Sequence, residues 1–174
     1  GDWSDLISLT YALRSSQSDS AFWAAIQPWV DVEEWIRYFA YLNLIGYDET
    51  ALGSGSADDY TLYSGPYDRR FRVLAHDHDA DFGINNSDQW TATTISNLAS
   101  QSIFRAAGLA VPGKFLRHPS VAPRYYELLL EYLNGFFHEE NLPAHLRDAL
   151  GGRIPSTVLD TMSGFADQRR ASLA

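Results

Sequence analysis

The sequence predicts a mainly α-helical fold carrying one small antiparallel β-hairpin, an α+β chain that forms a single domain. Three observations predict it. Apolar residues recur at helical spacing over most of the 174 residues. One stretch, 60–75, switches to β-prone runs. No internal repeat or low-complexity tract divides the chain. Hydrophobic residues at 45% and aromatic residues at 14% supply a core that a disordered chain would lack. Thirteen basic against 22 acidic residues leave a formal net charge of -9, so counterion release onto a phosphate backbone cannot drive binding, and nucleic acid is excluded as a partner. The absence of cysteine removes disulfides, thiol catalysis and Cys-ligated zinc without selecting a compartment. No run approaches the ~18 apolar residues of a membrane span, and the opening Gly1-Asp2-Trp3-Ser4-Asp5 carries no basic n-region, so no signal peptide is expected there.

The elements follow in order. Apolar spacing predicts short helices over Trp3–Leu13 and Phe22–Trp29, the second capped by Ser20. Asp31 precedes Val32 with Glu34 in capping-box position, and Trp35, Ile36, Phe39, Ala40, Leu42 and Ile45 form a broad apolar face that Gly46 ends, which predicts a deeply buried helix. Residues 47–59 lack periodicity and are expected as an exposed loop. Tyr60–Tyr63 and Phe71–Ala75 read as the two strands of the hairpin. Beyond it, 85–90 reads as loop, Thr94–Ala107 as a helix, and the stretch through Pro119 is left unassigned. Long and short amphipathic helices are expected over Ala122–Phe137 and Ala144–Leu150, and a last one over Ser156–Leu173, with Pro143 and Pro155 near helix starts where a missing N–H is harmless. Nearly all the aromatics are read as core.

The hairpin leads into His76-Asp77-His78-Asp79-Ala80-Asp81-Phe82-Gly83. On an extended chain the three carboxylates would share one side and the two histidines the other. Hard divalent cations prefer oxygen ligands, and Mg²⁺ takes one or two carboxylates with substrate phosphates, so a D-x-D here suits a metal site for phosphate chemistry. The plainer reading is an acidic turn that hydrates the end of a hairpin. A transition-metal site joining His76 and His78 to these aspartates is disfavoured because on an extended chain the histidines face the opposite way from the carboxylates. Asp48 follows a strongly apolar helix and opens the loop, where it reads as a positioned base or simply as a turn residue at the helix end. Asp58 and Asp59 add carboxylates near the same end.

The order of these features resembles the CotH kinase family, the spore coat protein H group of atypical protein-kinase-like proteins. The helix Asp31 to Ala40, Asp48 at the start of the loop, the strand Tyr60–Tyr63, Phe71–Ala75 and the D-x-D with Phe82-Gly83 carry the resemblance. His118-Pro119 leading into Arg124-Tyr125-Tyr126, with Asp160 and Arg169 late in the chain, extends it, so that it covers roughly 30–174. It implies a fold like the C-terminal lobe of a protein kinase. It also implies Mg²⁺ (or Mn²⁺) and ATP as cofactors, with protein Ser/Thr hydroxyls as acceptor. Asp48 matches the catalytic-loop base that orients or deprotonates the attacking hydroxyl, Asp77 the metal-binding aspartate, and Asp79 a helper of the metal. Asp58-Asp59 stand where the family commonly reads His-Asn, making Asp59 a carboxylate ligand. His76 stands where an aromatic is common.

The expected organisation is one CotH-like domain over 1–174. Residues 1–30 form N-terminal helices, 31–83 the helix, loop, hairpin and D-x-D, and 84–174 a helical remainder. Lys114, the only lysine, follows the D-x-D, and an N-terminal lobe is expected to lie outside this chain. The functional expectation is the catalytic C-lobe of an ATP-dependent phosphotransferase, inactive as an isolated chain, with a non-catalytic module of a spore, cell wall or secreted assembly as the alternative. A spore-surface, envelope or secreted location is expected over a cytoplasmic one. The kinase-like fold also hosts AMP and glutamyl transfer. Glycosyltransferase D-x-D chemistry is disfavoured, since no βαβ pattern or Gly-rich turn accompanies the motif.

Overall fold

The computed structural model describes residues 2–14, 16–49, 51–54, 59–85 and 87–173. Helices α1 (Ser4–Ala12) and α2 (Asp19–Ile26) pack against each other. Ser18, not Ser20, caps α2, its side chain accepting from the Ala21 N–H. Helix α3 (Val32–Ile45) starts at Asp31, whose carboxylate accepts from the Glu34 N–H, and stops at Gly46 in the left-handed conformation at φ 67°. A side chain at Gly46 would be strained by that φ, and its Cβ would sit 2.4 Å from the Phe165 ring.

Nine residues of α3 are buried, so it is the spine of the core. It packs against helix α7 (Ala122–Asn134), the hairpin and a 3-10 turn at Arg105–Ala107. The hairpin pairs β1 (Tyr60–Tyr63) with β2 (Arg72–Ala75), Tyr60 facing Ala75 and Tyr63 facing Arg72. Phe71, expected to open the second strand, instead bridges in parallel to Val30. Its carbonyl accepts from the Asp31 N–H at 3.0 Å and the Trp35 indole N–H at 2.9 Å, which hangs the hairpin on the start of α3.

The expected loop at 47–59 contains a short helix, α4 (Ala51–Ser54). The helix expected over 94–107 is two pieces, α5 (Ala92–Ala99) and the 3-10 turn. Arg169 is the physical reason. Its guanidinium, 1% exposed, donates to the carbonyls of Ala99 and Gln101, and the Ser100 hydroxyl takes the Asn97 carbonyl, so acceptors that a continuing helix would use are already engaged. The unassigned stretch forms helix α6 (Ala110–Arg117), with Pro112 in its first turn. Helices α8 (Asn141–Leu150) and α9 (Ser156–Leu173) complete the chain, and α5 and α8 both pack on α9. The aromatics are mostly core, but Trp3, Tyr11, Tyr63, Tyr67 and Tyr126 are exposed. Among the described residues no helix is long and apolar enough to cross a membrane.

Candidate active site

The site is built where the end of α3 meets the acidic turn after β2. Two main-chain hydrogen bonds join them: the Phe82 N–H donates to the Ile45 carbonyl at 2.9 Å, and the Asp48 N–H to the Ala80 carbonyl at 3.0 Å. These bonds bring Asp48 beside the D-x-D turn across some 30 positions of sequence. The chain does not run extended through that turn, because Asp77 adopts φ 54° and Phe82 φ 50°. The expected alternation of carboxylates on one side and histidines on the other is therefore lost. Asp77, Asp79 and His76 are exposed, whereas His78 and Asp81 turn inward and meet at 3.3 Å between Nδ1 and Oδ2. That contact, with lesser help from Asp59 and Asp77, raises the His78 pKa against its burial. Burial raises Asp81 despite the imidazole beside it, and its Oδ1 accepts no hydrogen bond among the described residues.

Asp59 is buried beneath this turn. The Tyr47 hydroxyl donates to it and also reaches Glu49 Oε2 at 3.2 Å, while the Asp59 carbonyl accepts from the His76 N–H at 3.3 Å. Burial works to raise the Asp59 pKa, but hydrogen bonds from Tyr47 and Glu49, with His76 and His78 close by, outweigh it and hold the carboxyl below its usual range. Glu49 is the other half of the pair. Its hydrogen bond to Asp59, then its loss of water, and then repulsion from Asp59 push it up to about 7, and Asp79 adds to the push. Two carboxyl groups thus share one proton near neutral pH. Asp59, Asp77 and Asp79 lie in one electrostatic neighbourhood around Tyr47 and His78. Asp48 is attached to it through the main chain, with its carboxylate paired to Arg105. Asp58 lies outside the described residues.

The Glu49 shift has a measurable consequence. The folded chain keeps the Glu49 proton up to about pH 7, whereas the unfolded chain releases it near its ordinary 4.5. The stability this contributes is complete below about pH 4.5 and is lost as the pH rises through 7. Asp59, with a depressed pKa, acts in a separate window at lower pH, its contribution lost as the pH falls through its folded value. Urea denaturation between pH 5 and 7.5 should show stability falling with pH, and Glu49→Gln should flatten that slope. An unchanged slope in the variant would place the titration elsewhere.

All these donors are hard oxygens, and the exposed Asp77 and Asp79 with the orphaned Asp81 Oδ1 suit a divalent cation in kind. Among the described residues, no three carboxylate or imidazole groups converge tightly enough to hold an ion by themselves. An ion held there would have to draw most of its ligands from water or a bound phosphate. A cavity of about 1010 Å³ opens between α1 and the hairpin, lined by Trp3, Leu6, Tyr60, Leu62 and Arg69. None of Asp48, Asp59, Asp77 and Asp79 lines it.

The model of the family described as CotH kinase protein matches residues 1–163. The chain belongs to the CotH kinase family. The match takes in α1 and α2, which the quoted motifs left outside the resemblance, so the CotH unit in this chain includes them. No curated protein and no solved structure matches it at a significant level. Within this CotH chain, sequence reasoning missed Glu49 and Arg105. Glu49 carried no signal beyond being one acidic residue in a polar loop. Arg105 lies 57 positions from its partner, a pairing that no local periodicity reveals.

Proposed function

We propose that this chain is the catalytic C-lobe portion of a CotH-type phosphotransferase that moves the γ-phosphoryl group of ATP to protein Ser/Thr hydroxyls. Family membership supports a kinase-like activity. The observation that carries the finer reading is the pair of main-chain bonds that fix Asp48 against the acidic turn holding Asp77 and Asp79. In this reading the acceptor hydroxyl oxygen bonds to the γ-phosphorus as the bond to the β–γ bridging oxygen breaks, and ADP leaves. Asp48 orients the hydroxyl and receives its proton, which passes on to solvent. Asp77 would hold the metal, with Asp79 and Asp59 supporting its coordination. Mg²⁺, when bound, neutralises phosphate charge and aligns the phosphates. The substrate is taken to be a protein of a spore, envelope or secreted assembly.

A second reading, a non-catalytic surface module that keeps the fold, is favoured by the ion pair that already engages the Asp48 carboxylate. One experiment addresses both. The protein is incubated with labelled ATP, Mg²⁺ and a Ser/Thr-rich acceptor, and its melting is followed with and without the metal. Label should enter the acceptor with a longer protein that carries an N-terminal lobe, and little or none with these 174 residues alone, which lack a covering loop for the phosphates, whereas Mg²⁺ should raise the melting temperature because it relieves repulsion among the carboxylates. Asp77→Asn should remove that rise while leaving metal-free stability unchanged or improved. An Asp77→Asn protein that responds to Mg²⁺ as wild type does would move the ion elsewhere, and no label transfer by the longer protein would favour the surface module.

A further inference from the structure

Arg105 is drawn into the site by neighbours on both sides. The 3-10 turn that carries it is pinned to α3, because the Ala106 N–H donates to the buried Asn43 Oδ1 at 3.0 Å. Asn43 is fully engaged, its amide donating to the Phe39 carbonyl at 2.8 Å and to the Tyr125 hydroxyl at 3.0 Å. From this fixed base the guanidinium makes three contacts with the loop after α3: Nη1 to the Tyr47 carbonyl at 2.7 Å, Nη2 to the Asp48 carbonyl at 2.8 Å, and Nη2 to the Asp48 carboxylate. The far end of the same loop is tied to the same segment, with the Leu109 N–H donating to the Gly53 carbonyl at 3.1 Å and α4 packed on the turn. The side chains of Arg105 and Asp48 are 28% and 14% exposed. Burial lowers the Arg105 pKa, but the group keeps its charge because arginine starts so high.

The geometry points to Arg105 as the positioning residue for Asp48. It grips main chain and side chain of the loop at once and fixes the direction in which the carboxylate meets an acceptor hydroxyl. This role rests on the reading of Asp48 given above. A planar fork with donors spaced for two acceptors does this where a lysine, a single point charge, holds one acceptor at a time. Arg105 does not itself meet ATP or the acceptor. In phosphoryl transfer most of the rate comes from alignment, so loosening such a clamp acts on turnover more than on nucleotide affinity.

The test compares wild type, Arg105→Gln, Arg105→Lys, Asp48→Asn and the Arg105→Gln/Asp48→Asn double variant in the transfer assay, each in the longer protein that carries the N-terminal lobe. Backbone hydrogen exchange at Tyr47, Asp48, Leu52 and Gly53 is followed in parallel. Arg105→Gln should lower kcat by about 10²-fold with the KM for ATP changed less than about twofold, and Arg105→Lys should recover part of the loss. The double variant should be no slower than Asp48→Asn alone, since both changes remove one function. Exchange at Asp48 should rise about tenfold in Arg105→Gln while the amides of α9 stay unchanged. If Asp48→Asn is slow but Arg105→Gln turns over like wild type, the positioning role is overturned and the reading of Asp48 stands. If Asp48→Asn is as fast as wild type, or wild type transfers nothing, the reading of Asp48 falls and the catalytic role of Arg105 falls with it. Unchanged exchange at Asp48 in Arg105→Gln would overturn the clamp regardless of activity. Should Arg105→Gln fail to fold, Arg105→Lys carries the same comparison.

Discussion

Asp48→Asn is expected to lower the rate of phosphoryl transfer by about 10³-fold, within the range for removing a positioned acid–base group. Asparagine is nearly the same size, and its side-chain oxygen can still accept from the Arg105 guanidinium, so the loop keeps its path. The main-chain bond from the Asp48 N–H to the Ala80 carbonyl is untouched. What disappears is the negative charge that orients the hydroxyl and takes its proton. The loss should therefore fall on kcat, with melting temperature and Mg²⁺ response close to wild type. A variant that transfers at the wild-type rate would remove Asp48 from the chemistry, and one that melts far below wild type would mark the residue as structural.

Arg169→Met is expected to cost about 3 kcal/mol of stability, the largest effect of any substitution considered for this chain. Arg169 is 1% exposed and no ion pair joins it to a carboxylate among the described residues; its guanidinium donates to the carbonyls of Asn43, Ala99 and Gln101. Burial drives its pKa down to about 10, a sign of how much hydration the charge has given up. Methionine fills much of the space and removes that desolvation cost, but while Ala99 keeps the Ser172 hydroxyl, the carbonyls of Asn43 and Gln101 lose their guanidinium donor, each worth about 1–3 kcal/mol when unpaired. The orphaned acceptors outweigh the relief. Urea denaturation at pH 7 measures the loss directly. A methionine variant as stable as wild type would show that the carbonyls find other donors.

The fold was largely legible where local chemistry decides structure. The Asp31 cap, the broad apolar face of α3 and the stop at Gly46 are written in adjacent residues, and the structure follows them. The last helix, over Ser156–Leu173, was legible for the same reason. Legibility ended where a distant residue intervenes. The helix expected over 94–107 breaks because Arg169 takes its carbonyls from 70 positions away, and Phe71 leaves the strand to join Val30. The candidate site divides in the same manner. Its acidic residues stand out in the sequence, but the backbone turn at Asp77, the proton shared by Glu49 and Asp59, and the grip of Arg105 on Asp48 depend on tertiary contacts.

Phe165 has a consequence for how the protein comes into being on the ribosome. Its ring is fully buried, lies over Gly46, where any Cβ would meet it at 2.4 Å, and comes within 3.2 Å of where a Cβ on Gly83 would be. It also packs edge-on against Phe82, with ring centroids 6.0 Å apart. One ring from α9 therefore seats both backbone corners that flank Asp48 and the acidic turn. Chains emerge N-terminus first at about 5–20 residues per second, so residues 46 and 83 leave the exit tunnel seconds before the ring that seats them. The nascent chain passes through an interval in which the loop and the turn exist without their common support. Completion of this site is thus timed to the emergence of α9 rather than to the appearance of its acidic residues.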